Sequence, residues 1–170
     1  VEALFFPRPL RFEAAQHAAL HPGKSARVLC NGHMAGWIGE LHPRWQQKYD
    51  LPLAPVLFEL DFECLAQGVL PAYKEISKFP PVRRDIAVII DAGLEYQAVV
   101  DALQAERPQI VTEIGVFDVY QGKGIEKGKK SLAFRVLLQD THKTLTDAEV
   151  DSAVSKLIQV LQNRFSAKLR

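Results

Sequence analysis

"KFPPVRRDIAVIIDAG", Lys78 to Gly93, is the stretch on which the fold turns. Pro80 and Pro81 disallow helix, and the wholly apolar run from Ile86 to Ile90 reads as a buried strand that opens a new folding unit. The strand is expected over Asp85 to Asp91, with Arg83, Arg84 and Asp85 crowded at its mouth. Charges at that place need a use on one face or the other.

Downstream of it the order of elements is clear. "EYQAVVDALQAER" from Glu95 is helical, with Val99, Val100, Ala102 and Leu103 as an apolar stripe ended by Pro108. Val111 to Tyr120 and Ser131 to Gln139 read as two strands joined by the loop "QGKGIEKGKK". "LTDAEVDSAVSKLIQVLQNRF" from Leu145 is a second helix. Thr146 followed three residues later by Glu149 forms a capping box, and Val150, Val154, Leu157, Ile158 and Leu161 give an apolar face. "SAKLR" suits a short last strand. The order β-α-β-β-α-β predicts a ferredoxin-like antiparallel sheet with two helices on one face, an α+β fold.

Upstream, the first half reads as mostly antiparallel β. Ala26 to Asn31 and Met34 to Leu41 are strand-like and joined by "NGH" at Asn31 to His33, a hairpin signal. "HPRWQQKYDL" from His42 suits a short helix with Pro at its first position. "PVLFELDFECLA" from Pro55 alternates, which predicts one strand with Phe58, Leu60 and Phe62 on a core and Leu57, Glu59 and Asp61 facing away. "GVLPAYKEISKFPP" is a connector. Two domains are therefore expected, residues 1–76 and 77–170, with the second able to fold by itself.

Composition sets outer limits. At 48% hydrophobic and 24% charged residues, 170 residues make an ordinary globular chain of one domain or two small ones. No apolar run approaches the roughly 18 residues of a membrane span, and no signal-peptide pattern opens the chain. Val1 as first residue reads as a piece of something longer. Cys30 and Cys64, far apart and set among apolar residues, fit a reduced cytoplasmic protein. Net charge is +1, but residues 121–143 hold Lys123, Lys127, Lys129, Lys130, Arg135 and Lys143 against only Glu126 and Asp140. Such a local patch is compatible with docking on phosphates.

No catalytic residues are expected. His17 and His21 are four apart, but Pro22-Gly23 ends any helix there and no ligand set accompanies them, so no metal site is read. His42 before Pro43 is a turn residue. Ser25 and Ser77 lie in no nucleophile motif. The loop "GKGIEKGKKS" fails as a phosphate loop: Gly122 to Gly128 encloses five residues, Lys130 follows Lys129, and a strand comes next. It is a positively charged hairpin loop.

The faces of the second sheet carry more information. Leu132, Phe134, Val136 and Leu138 alternate with Ser131, Ala133, Arg135 and Leu137, so the larger set belongs under the helices. Likewise Ile86, Val88 and Ile90 face the core and leave Asp85, Ala87 and Ile89 open. In the middle strand Phe117 and Val119 are expected inward, with Asp118 and Tyr120 outward. The open face is then a shallow platform with an aromatic, an arginine and carboxylates, rimmed by lysines. Such a surface can stack an unpaired base, and it can equally be a solvated face or a docking surface for another domain.

"KFPPVRRDIAVIID", "VFDVYQGKGIEKGKKSLAFRV" and "KTLTDAEV" resemble the C-terminal ferredoxin-fold anticodon-binding domain of the bacterial phenylalanyl-tRNA synthetase β-subunit family. "LHPGKSARV", "GWIGELHP" and "FELDFECL" resemble the end of that family's catalytic-like module, a class II synthetase fold without its own active site. The resemblance implies tRNA anticodon recognition within a phenylalanine–tRNA ligase. Its partners would be tRNA(Phe), the α subunit and the rest of the β subunit in an α2β2 heterotetramer. ATP and magnesium belong to the whole enzyme and no cofactor to this piece, which should not aminoacylate alone. It also implies that Tyr120 stacks on an anticodon base, Ala87 lets the base approach, and Ser131 hydrogen-bonds its edge. Lys129 and Lys130 would attract phosphate, with Arg135 on the same face. Arg83 and Arg84 would meet phosphate or pair with Asp85, two uses that stay open. The competing reading is a small-molecule regulatory or protein-interaction module, since this topology hosts many functions.

Overall fold

A computed structural model describes residues 1–73 and 75–170. The chain divides into two compact units, Val1–Tyr73 and Lys74–Arg170, and each has its own sheet. Among the described residues no helix is long and apolar enough to cross a membrane.

In the first unit α1 (Glu2–Phe5), β1 (Leu10–Ala14), β2 (Leu20–Cys30), β3 (His33–Leu41), α2 (Pro43–Lys48), β4 (Val56–Leu60) and α3 (Phe62–Ala66) follow in order. The strands form an antiparallel sheet ordered β1-β2-β3-β4. Asn31 and Gly32 make the hairpin turn with φ of 53° and 80°, the left-handed pair that a two-residue turn of this kind needs. Pro43 opens α2 as read, and the His42 ring caps it, Nδ1 accepting the Arg44 N–H at 3.1 Å.

The stretch from Pro55 departs from the expectation. It is not one strand: β4 stops at Leu60, and Asp61 caps α3, its Oδ1 accepting the N–H groups of Glu63 and Cys64 at 2.8 and 3.2 Å. An aspartate that satisfies two free donors at a helix start outcompetes a continued ladder. Of the row expected on a core, only Leu60 packs against the cluster of Phe5, Val28, Cys30 and Ala35. Phe58 and Phe62 stay exposed. Gly36 is fixed by the β3–β4 pairing, because a Cβ there would lie 2.0 Å from the Glu59 carbonyl oxygen.

The second unit runs β5 (Val82–Asp91), α4 (Tyr96–Ala105), β6 (Val111–Tyr120), β7 (Lys129–Leu138), α5 (Asp147–Phe165) and β8 (Lys168–Leu169). Its antiparallel sheet has the order β6-β7-β5-β8, with the first and third strands in the middle. That is the ferredoxin-like arrangement the sequence predicts. Ile86, Val88 and Ile90 of β5 and Leu132, Phe134, Val136 and Leu138 of β7 share one core with Val99 and Leu103 of α4 and Val150, Leu157 and Leu161 of α5. Both helices therefore cover the same face. The other face is open.

β5 begins three residues earlier than read, since Val82 already pairs with Leu138. Arg83 and Arg84 thus lie within the strand, on opposite faces.

The start of α5 is held by the capping box. Glu149 N–H donates to Thr146 Oγ1 at 3.4 Å, and Thr146 N–H donates back to Glu149 Oε2 at 3.0 Å. Lys143 Nζ donates to Glu149 Oε1. Lys143 first, then the Thr146 N–H and hydroxyl, hold the Glu149 carboxyl down at about 2, from an ordinary value of 4.5. A depressed carboxylate pKa stabilises the fold above the unfolded value and loses that contribution as pH falls through the folded one. Thermal melts should therefore show wild type declining from pH 4.5 towards pH 2. Glu149→Gln should melt lower at neutral pH and decline less over that window. Parallel pH curves would contradict the assignment.

Candidate nucleic-acid interface

Strand pairing arranges the open face of the second sheet in rows. Lys168, Ile89, Ser131 and Tyr120 are aligned across β8, β5, β7 and β6. The next row is Ala87, Ala133 and Asp118, and Arg170 joins it by donating its N–H to the Ala87 carbonyl at 3.0 Å. Beyond that come Asp85, Arg135 and Gly115. The middle row is floored by two alanines. Ala87 and Ala133 are both partly exposed, and their short side chains lie beside the larger Ile89 and Tyr120 of the first row.

Tyr120 stands at the β6 end of the first row. Its hydroxyl donates to the Lys123 carbonyl at 3.2 Å. The ring lies so close to Gly122 that a Cβ there would come within 2.7 Å of the hydroxyl oxygen. Glycine at 122 is thus what lets the ring settle.

Arg170 reaches over the same place. Its guanidinium sits 5.6 Å from the centre of the Tyr120 ring, and Nη1 donates to Ser131 Oγ at 3.3 Å. Ser131 is on the open face as expected, yet only 3% exposed under that cover. One residue thus touches Ala87, Tyr120 and Ser131, the three positions singled out from the sequence. Arg170 was not among the expected site residues. Its place follows from the pairing of Lys168 with Ile89, which a strand two residues long does not announce in the sequence.

Phe117 is the clearest correction. It was expected inward, but it is half exposed on the open face, with the Arg135 guanidinium 5.3 Å from its ring centre. The register between β6 and β7 shifts at Val116/Asp118. A bulge adds one residue to one strand and breaks the period of two, so Phe117 turns out. Val119 is aligned with Leu132 on the helix side but remains 56% exposed, past the cover of the helices.

The cations divide between the faces. Arg83, on the open face, pairs with Asp85 through Nε–Oδ1 at 3.1 Å and Nη2–Oδ2 at 2.8 Å. The hydrogen bond from Arg83 holds the Asp85 carboxyl below its usual range. Arg84 lies on the helix side, 3.5 Å from the Asp147 carboxylate. Lys129 is on the open face, 3.6 Å from Asp91. Lys130 turns the other way, Nζ donating to the Leu94 carbonyl at 2.5 Å. Arg84 and Lys130 therefore leave the open-face set. Among the described residues no carboxylate lies within ion-pair distance of Arg135, Lys168 or Arg170. Lys123 and Lys127 are exposed in the loop between β6 and β7.

In the first unit His17 and His21 each use Nδ1 on nearby main chain, accepting from Ala19 at 3.3 Å and Gly23 at 3.0 Å. Among the described residues no group of three or more His, Cys, Asp or Glu could hold a metal ion.

The model of the family described as "Ferredoxin-fold anticodon binding domain" matches residues 77–170. The chain belongs to that family. Residues 1–62 match the model described as "Phenylalanyl tRNA synthetase beta chain CLM domain". Similar curated proteins carry the name phenylalanine–tRNA ligase beta subunit. One from Nitrosospira multiformis is 57% identical over 170 residues, all of this chain and 22% of the relative. One from Dechloromonas aromatica is 51% identical over 170 residues, again all of this chain and 21% of the relative. A third, from Burkholderia pseudomallei, is 49% identical over 179 residues, all of this chain and 22% of the relative. The chain spans about a fifth of the length of these relatives. The resemblance read from "KFPPVRRDIAVIID" and "FDVYQGKG" is thus what the comparisons find. In this anticodon-binding domain Ala87, Ala133, Tyr120, Arg135 and Arg170 share one face.

Proposed function

We propose that the open face of the second sheet binds unpaired bases of the tRNA(Phe) anticodon loop. Residues 77–170 would act as an anticodon-binding domain and residues 1–76 as the end of a catalytic-like module in a cytoplasmic phenylalanine–tRNA ligase. The observation that carries this reading is the meeting of Ala87, Tyr120 and Ser131 at Arg170, whose main-chain N–H bonds the Ala87 carbonyl and whose guanidinium reaches Tyr120 and Ser131. Tyr120 offers a ring face, Ser131 a hydroxyl, and Ala87 the space for a base to come down on the sheet. Arg170 holds the position of the base until RNA arrives. Its charge-assisted donors then remain available to a base edge or phosphate.

In the whole enzyme, ATP and magnesium would be held by parts of the assembly outside these 170 residues, with the α subunit as partner in an α2β2 heterotetramer. The role left to this chain is positioning. A bound anticodon fixes one end of the tRNA, and that binding energy orients the other end for aminoacylation.

Phosphate attraction falls to the loop lysines. Replacing Lys123 and Lys127 together by alanine should weaken all RNAs alike and flatten the salt dependence. The log–log slope should fall by about 0.7 for each phosphate of a single strand that is no longer neutralised. A stem-loop titration over a salt series checks this. An unchanged slope would move the phosphate path to Lys129 and Lys168. The function itself is tested by fluorescence titration with a stem-loop carrying the phenylalanine anticodon against one with an unrelated anticodon. Preference for the first supports the reading, and equal or absent binding rejects it.

A further inference from the structure

We propose that the open face carries a second nucleobase subsite, formed by Phe117 and Arg135 beside the one at Tyr120, so that it takes two neighbouring unpaired bases. The proposal rests on the reading of this face as an RNA interface. It adds Phe117, a residue that neither the sequence patterns nor the alternation rule placed on this face, beside Arg135, which they did.

Three observations carry it. First, the bulge turns an aromatic of a kind usually buried onto the open face and leaves it 50% exposed. Second, Phe117 and Arg135 repeat the pairing of Tyr120 and Arg170: guanidinium over ring, at 5.3 and 5.6 Å. Guanidinium and ring faces are the two surfaces on which proteins stack splayed-out bases. Third, Arg135 Nε is buried and has no hydrogen-bond partner among the described residues. A buried donor left unmade is costly, and an acceptor on a base edge or ribose would satisfy it.

The spacing fits neighbouring nucleotides. Three residues of strand at about 3.4 Å each span about 10 Å, less for the bulge. That is too far for two bases stacked on each other at about 3.4 Å, and suits a splayed pair. Between the two rings lies Asp118, aligned with Ala133. A carboxylate there repels phosphate and accepts from base amino groups, so the bases cross this part of the face and the backbone keeps to the lysine rim.

The test uses the 170-residue chain and anticodon stem-loops with 2-aminopurine at each unpaired loop position in turn. Wild type should change the emission of two adjacent positions. Phe117→Ala should weaken binding about tenfold and lose the change at one of them, while the other, at Tyr120, persists. Phe117→Leu keeps apolar bulk without a ring face, so it should melt near wild type and bind as poorly as Phe117→Ala. Arg135→Lys removes Nε and should diminish the signal at that same position. If both Phe117 variants keep wild-type affinity and both signals, the second subsite is overturned. A wild-type chain that binds none of the stem-loops would overturn the reading of the whole face, and the subsite with it.

Discussion

Tyr120→Ala is expected to weaken binding of the phenylalanine anticodon stem-loop about tenfold or more, with a salt dependence close to wild type. Stacking of a base on an aromatic is worth roughly 1–3 kcal/mol by alanine substitution, and it moves no charge. The ring is 37% exposed, and its structural ties are the bond to the Lys123 carbonyl, the contact with Gly122 and the Arg170 guanidinium over its face. Melting of the second unit should therefore change little. Tyr120→Phe keeps the stacking surface and should bind nearly as wild type does. The competing role, a residue that docks another domain, predicts RNA binding intact and assembly impaired. Wild-type affinity in Tyr120→Ala would contradict the stacking role.

Phe134→Ala should have the larger effect on stability. Phe134 is 1% exposed, beneath the sheet and within the cluster shared by both helices. Truncating a buried phenylalanine costs about 3–5 kcal/mol, against a typical total of about 5–15 kcal/mol for a domain. Denaturant melts should show the transition of the second unit moved to much lower denaturant. RNA binding should fall only in step with the folded fraction. The neighbouring residue Ala133 lies on the open face, so the two sides of one strand separate folding from binding. A loss below about 1 kcal/mol would contradict the packing.

The sequence made the second unit legible because each signal was local and strong. The apolar run after Pro81, the Thr146–Glu149 capping box and the strict alternation of β7 each specify one element and one face. What was not legible came from exceptions to periodicity. The bulge at Val116/Asp118 has no signature in "VTEIGVFDVY", so Phe117 was assigned to the wrong side. Asp61 alternates like a strand residue, and only its side-chain bonds to Glu63 and Cys64 reveal a cap. Arg83 and Arg84 are adjacent, and their separation onto two faces follows once β5 is known to start at Val82. Lys129 and Lys130 divide in the same way. Arg170 depends on the pairing of a strand two residues long, too short to read by pattern.

The central claim is that RNA lies on the open face of the second sheet. Amide chemical shifts of the 170-residue chain, followed as the anticodon stem-loop is added, test it most directly. The account predicts the largest changes at Ala87, Phe117, Asp118, Tyr120, Ser131 and Ala133, with α4 and α5 nearly unmoved. Changes confined to α4 and α5, or spread evenly over both units, would contradict it.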